Sequence, residues 1–117
     1  MARALSALDA DNQITHLRDK FAANTPDIDW IRELDREGDW IIVSADQLYR
    51  VPHQREALIA AGFVAFYLKK GWSQPLWVQA SRLFAWWPVI TAKAARARDG
   101  ECFRVPFKGH ELEAFSL

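Results

Sequence analysis

Two carboxylates, Asp27 and Asp46, could do chemistry as a pair. Carboxylates gathered at one place hold hard cations such as Mg²⁺ or Mn²⁺. Such an ion acidifies a bound water and stabilises charge on a phosphodiester during attack. Their spacing in sequence is no motif. It asks only that two neighbouring connections deliver them to one edge of a sheet. Cationic and aromatic groups follow the same segments. Arg50, His53 and Arg55 come after Asp46, and Lys69, Lys70 and Trp72 come after an apolar run at 63–68. Arg50, Arg55, Lys69 and Lys70 could meet RNA phosphates, and Trp72 could stack on a base. Each cation also reads as part of a solvated surface, and Trp72 as core.

The elements that would position these residues can be read from pattern. Thr25-Pro26 starts a helix, with Thr as cap and Pro at the first helical position. Ile28, Ile31 and Leu34 give it an apolar face, and Gly38 ends it. Trp40-Ile-Ile-Val43 is short, apolar and β-branched, as in a strand buried on both faces of a parallel sheet. Gln54–Ala61 forms a helix stopped by Gly62. Phe63–Leu68 forms a second buried strand. Leu76, Ala80, Leu83, Phe84 and Trp87 share a helical face, and Pro88 kinks that helix or begins another. Glu101–Phe107 forms a strand limited by Pro106. A helix over residues 2–8, a turn over 9–12 and a strand over 13–17 complete the alternation. The expected fold is α/β, with a mostly parallel sheet between helical layers.

In such sheets ligands bind beyond the carboxyl ends of the strands. This rule sorts the acids. Asp9, Asp11 and Asp39 precede strands and fall at the opposite edge. Asp46 follows a strand, and Asp27 opens the helix after another, so both reach the ligand edge. Asp29, one turn deeper, and Asp19, in a loop, are reserves. Asp27 would also be favoured by the helix dipole whatever its function, and Asp46 could simply cap its turn.

Composition narrows the classes. The chain has 117 residues, which suits one domain, 1–117, and half are apolar. Fifteen basic residues balance fifteen acidic ones, against bulk-charge coating of nucleic acid. Cys102 is the only cysteine, so no internal disulfide and no cysteine-based zinc site can form. Cys102 reads as packing, and a reducing, cytoplasmic setting is expected. The histidines at 16, 53 and 110 lack ligand spacing, and no Gly-rich phosphate loop or nucleophile elbow occurs. No apolar run reaches membrane-spanning length, and Met1–Leu8 is too short for a signal peptide's apolar region.

Several segments resemble the PIN-like domains of VapC-type toxins: His16-Leu-Arg-Asp-Lys-Phe21, Thr25-Pro-Asp-Ile-Asp-Trp-Ile31, Glu37-Gly-Asp-Trp40 and Ser44-Ala-Asp46. Gly71-Trp72, Arg82-Leu-Phe-Ala-Trp-Trp-Pro88 and Phe103-Arg-Val-Pro106 are similar to the same subgroup. The resemblance runs from about Ala2 to Phe115. It implies a three-layer α/β/α nuclease fold, Mg²⁺ or Mn²⁺, hydrolysis of RNA and a silencing antitoxin partner. It places Asp27 and Asp46 at the family's acidic positions, with Asp29 as neighbour. Family members begin with a central strand ending in Asp, whereas this chain opens inside what resembles the following helix. Three function classes follow: a metal-dependent endoribonuclease, a non-catalytic module that binds a partner or forms a homodimer through the open sheet, and an RNA-binding domain using Trp72.

Overall fold

The computed structural model describes residues 12–38 and 40–117. The helix expected over 2–8, most of the turn after it, and Asp9, Asp11 and Asp39 lie outside the described residues. The elements are α1 (Leu17–Lys20), α2 (Asp27–Glu37), β1 (Ile41–Ser44), α3 (Pro52–Ala61), β2 (Val64–Leu68), α4 (Leu76–Arg96), β3 (Cys102–Val105) and β4 (Glu113–Phe115). Short 3₁₀ turns, Leu48–Arg50 and Lys70–Trp72, follow β1 and β2.

The sheet order is β1-β2-β3-β4. β1 and β3 pair parallel to β2, and β4 pairs antiparallel to β3. Alternating side chains divide the core between the two faces of the sheet. Ile42, Ala65, Tyr67 and Cys102 pack with Trp30, Ile31 and Leu34 of α2 and Leu58 of α3. Val64, Phe66, Phe103 and Val105 pack with Leu83, Trp86 and Ile90 of α4. Helices thus cover both faces, as the alternation predicts.

Local chemistry explains the boundaries. Gly62 closes α3 in the left-handed conformation, φ 68°, where a Cβ would be strained. Pro88 lies inside α4, which continues through it as one helix. The Thr91 hydroxyl donates to the carbonyls of Trp87 and Pro88 near this break in the ladder. Trp86 is the deeply buried member of its pair, while Trp87 is partly buried against the same cluster.

Three expectations need correction. Residues 13–16 form no strand, and the chain turns into α1 at Leu17. The His16 ring Nδ1 accepts from the Arg18 amide at 3.1 Å, capping that turn, and the segment has no paired strand among the described residues. Pro26, not Thr25, is the cap residue of α2, so Asp27 is its first helical residue. β1 is not buried on both faces, since its Ile41 is 48% exposed, and among the described residues it has a pairing strand on one side alone. A strand absent from the expected order, β4, closes the other side.

Tyr67 is fully buried, and its hydroxyl has no hydrogen-bond partner among the described residues. Burial raises the phenol above its ordinary value of 10.0, with smaller contributions from Cys102 and Tyr49. Burial also raises the Cys102 thiol above 9.0. Both folded groups favour their protonated forms, so stability is level below these ordinary values. It falls as pH rises further, because the unfolded chain loses those protons first. Tyr67→Phe is expected to stabilise the fold by about 1 kcal/mol and to flatten the fall above pH 10.0. Urea titrations across alkaline pH measure both, and an unchanged slope would contradict the assignment.

Candidate active site at the carboxyl edge of β1

α2 ends where β1 begins, so its first residue returns to the carboxyl end of that strand. There Asp27 and Asp46 line one groove of about 280 Å³. The same groove touches Ile41, Ile42, Val43 and Ser44. Successive strand side chains point to opposite faces, so a groove touching all four follows the outer edge of β1, which no described strand pairs. Its other walls include Thr15, Leu17 and Arg18 before α2, and Trp30 and Leu34 within it.

The two carboxylates are held differently. The Trp30 indole N–H donates to Asp27 Oδ1 at 2.9 Å. The Gln54 amide of α3 donates to Oδ2 at 3.3 Å. Asp27 is thereby oriented from two helices and keeps acceptor capacity, because a carboxylate offers about four lone-pair sites. Asp46 is exposed, and its carboxylate has no hydrogen-bond partner among the described residues. Its backbone is fixed instead: the Ser44 hydroxyl accepts from the Asp46 amide at 3.0 Å and donates to its carbonyl at 2.9 Å. The Gln47 amide donates to the Leu68 carbonyl at 2.9 Å, which ties this turn to the end of β2.

The remaining candidates scatter. Asp29 and Asp19 are exposed and do not line the groove. Arg50 is exposed after the turn that carries Asp46. Arg55 donates to the Leu117 carbonyl, so the C-terminal tail engages it. Lys69 pairs with Glu113 at 2.8 Å, while Lys70 is exposed and has no ion pair among the described residues. Trp72 contradicts the stacking role. It is 3% exposed, donates to the Val105 carbonyl at 2.8 Å and meets Phe107 edge-on. An apolar slot beside β3 claims the ring because Gly71 lets the backbone pass close to Phe107: a Cβ there would stand 3.2 Å from the Phe107 Cβ.

Arg18 was not among the sequence candidates, yet it lines the groove and also donates to the Ala23 carbonyl at 3.2 Å. Its neighbour Lys20 lines the groove too, paired with Glu37 at 2.9 Å. Their signal was nearness to Asp27 across a short loop, obscured by reading 13–17 as a strand.

A layered α/β fold with acidic residues at the carboxyl edge defines a class, and comparison agrees with it. A family model described as a PIN like domain matches residues 1–70. The chain belongs to that family, and membership suggests a nuclease superfamily. No curated protein and no solved structure matches it. No helix among the described residues is long and apolar enough to cross a membrane.

Proposed function

We propose that the chain is a metal-dependent endoribonuclease of the VapC toxin type, cleaving RNA at the groove beside β1. The observation that carries this reading is the meeting of Asp27 and Asp46, from separate connections, in one groove. Among the described residues no three His, Cys, Asp or Glu side chains gather as a metal cluster. Two carboxylates still fit Mg²⁺ or Mn²⁺, which commonly take one or two carboxylates, several waters and substrate phosphates. When bound, such an ion supplies Lewis acidity and a more acidic water. Trp30 and Gln54 fix the Asp27 carboxylate at the groove wall, and Ser44 holds the backbone of Asp46. Arg18 offers charge to a phosphate entering between them. A cytoplasmic setting and a cognate antitoxin that covers the groove belong to the same proposal.

A second reading has one observation in its favour. Among the described residues the outer edge of β1 has no pairing strand along the groove, which makes it a template for a strand from a partner or a second copy. Chelation separates the two. Labelled single-stranded RNA should be cleaved in Mn²⁺, left intact in EDTA and cleaved again when Mn²⁺ is restored. Intact RNA in both Mg²⁺ and Mn²⁺ would favour the interaction module.

A further inference from the structure

The Asp46 carboxylate has no hydrogen-bond partner among the described residues, so its position is inherited from the turn that carries it. That turn leaves the end of β1, a strand that the described residues pair on one side alone. We propose that Gln47 and Tyr49 are positioning residues, which together fix the turn that presents Asp46 to a bound Mg²⁺ or Mn²⁺. This rests on the ribonuclease reading and adds to it the support of one metal-binding carboxylate.

The contacts form a relay. The two Ser44 bonds to residue 46 are local, so they shape the turn but attach it to nothing beyond its own strand. Gln47 supplies the attachment. Its amide nitrogen donates to the Leu68 carbonyl at 2.9 Å, at the end of β2, and more loosely to the Ala45 carbonyl at 3.4 Å. A side-chain amide has a donor end and an acceptor end, and a flip would set its oxygen against the Leu68 oxygen. The Tyr49 hydroxyl opposes that flip by donating to Gln47 Oε1 at 2.8 Å.

The Tyr49 ring is braced in turn. It meets Tyr67 of β2 edge-on at 4.9 Å between centroids and lies tilted against Phe115 of β4 at 5.2 Å. Tyr67 is fully buried, so this contact is made with the interior of the sheet. Phe115 is placed by its pairing with Cys102, and the Arg104 guanidinium carbon stands 3.8 Å from its ring centroid. Residues alternate along the turn: Asp46 and Leu48 line the groove, whereas Gln47 and Tyr49 do not. Gln47 and Tyr49 therefore act through the backbone of Asp46 and not on a ligand. Asp27 differs, because Trp30 and Gln54 hold its carboxylate directly. Groups that orient a metal ligand commonly govern affinity for the ion as much as the ligand itself does.

The test is binding of Mn²⁺ to the RNA-free protein, read from the loss of the free-ion signal in electron paramagnetic resonance. Gln47→Ala should weaken binding about 10- to 100-fold. Tyr49→Phe removes one hydroxyl and keeps the ring, so it should weaken binding by about 2- to 10-fold, as for one neutral hydrogen bond. The Mn²⁺ concentration that half-saturates RNA cleavage should rise in the same order. Amide exchange at residues 46–48 should quicken in both variants while exchange in β2 stays at the wild-type rate. A lower melting temperature with unchanged Mn²⁺ affinity in the folded protein would make both residues merely structural and overturn the proposal. If Asp46→Asn weakens Mn²⁺ binding and Gln47→Ala matches wild type in both readouts, the relay alone fails. If wild type neither binds Mn²⁺ nor cleaves RNA, the ribonuclease reading fails with it.

Discussion

Asp46→Asn is expected to lower Mn²⁺-dependent RNA cleavage by at least about 100-fold while leaving the fold intact. Both halves follow from the environment. The carboxylate is exposed and has no hydrogen-bond partner among the described residues. The turn is held by Ser44 through the backbone of residue 46, which the substitution leaves unchanged. Asparagine keeps the size of the side chain but removes its charge, and a neutral amide is a poor ligand for a hard cation. The melting temperature should therefore move by no more than about 2 °C, as for surface changes of under about 0.5 kcal/mol. Initial cleavage rates and thermal melts on the same preparations check the two halves. A rate within about threefold of wild type would remove Asp46 from the site.

Trp72→Ala should do the reverse, destabilising the fold by about 3–5 kcal/mol. The ring fills space between the turn after β2 and the loop after β3, against Phe107. The Val105 carbonyl keeps one partner when the indole is lost, because it also accepts from the Lys69 amide at 3.0 Å. The cost is therefore mainly the cavity, and Trp72→Phe should recover part of it by restoring volume. Small domains have only about 5–15 kcal/mol in total, so the alanine variant should unfold at much lower urea. A loss below about 1 kcal/mol would return Trp72 to the surface.

The two tryptophans show where sequence reasoning stops. Trp72, just before α4, is buried and Trp77, in its first turn, is 76% exposed, yet composition treats them alike. Periodicity did not separate them: Trp77 falls within about 20° of Phe84 around the helix, at the margin of the face shared by Leu76, Ala80, Leu83, Phe84 and Trp87. Trp72 precedes the helix, so no period applies, and its burial depends on the later loop containing Phe107. β1 shows a second limit. An apolar run reports how much side-chain surface is covered, not whether both backbone edges are paired. Trp30, Ile31 and Leu34 of α2 share a core cluster with Ile42, while the outer edge of β1 has no pairing strand among the described residues. β4 has three residues and pairs antiparallel to β3 after a loop through Gly109, too short to show alternation. By contrast, the buried run Val64–Leu68 and the stop at Gly62 were legible because local chemistry alone decides them. The edge rule placed Asp46 from the direction of β1 alone, whereas for Asp27 it leaned on a strand over 13–17 that does not form; Asp27 lines the groove because α2 runs back from the start of β1.

The central claim is that Asp27 and Asp46 act as one centre. The direct test compares Mn²⁺-dependent cleavage rates of wild type, Asp27→Asn, Asp46→Asn and the double variant on one RNA. Residues that hold the same ion are strongly non-additive, so the double variant should be no more than about threefold slower than the slower single variant. Folded fractions must be matched, because Asp27 also joins α2 to α3 through Gln54. Losses that multiply in the double variant, or single variants as fast as wild type, would contradict a shared site.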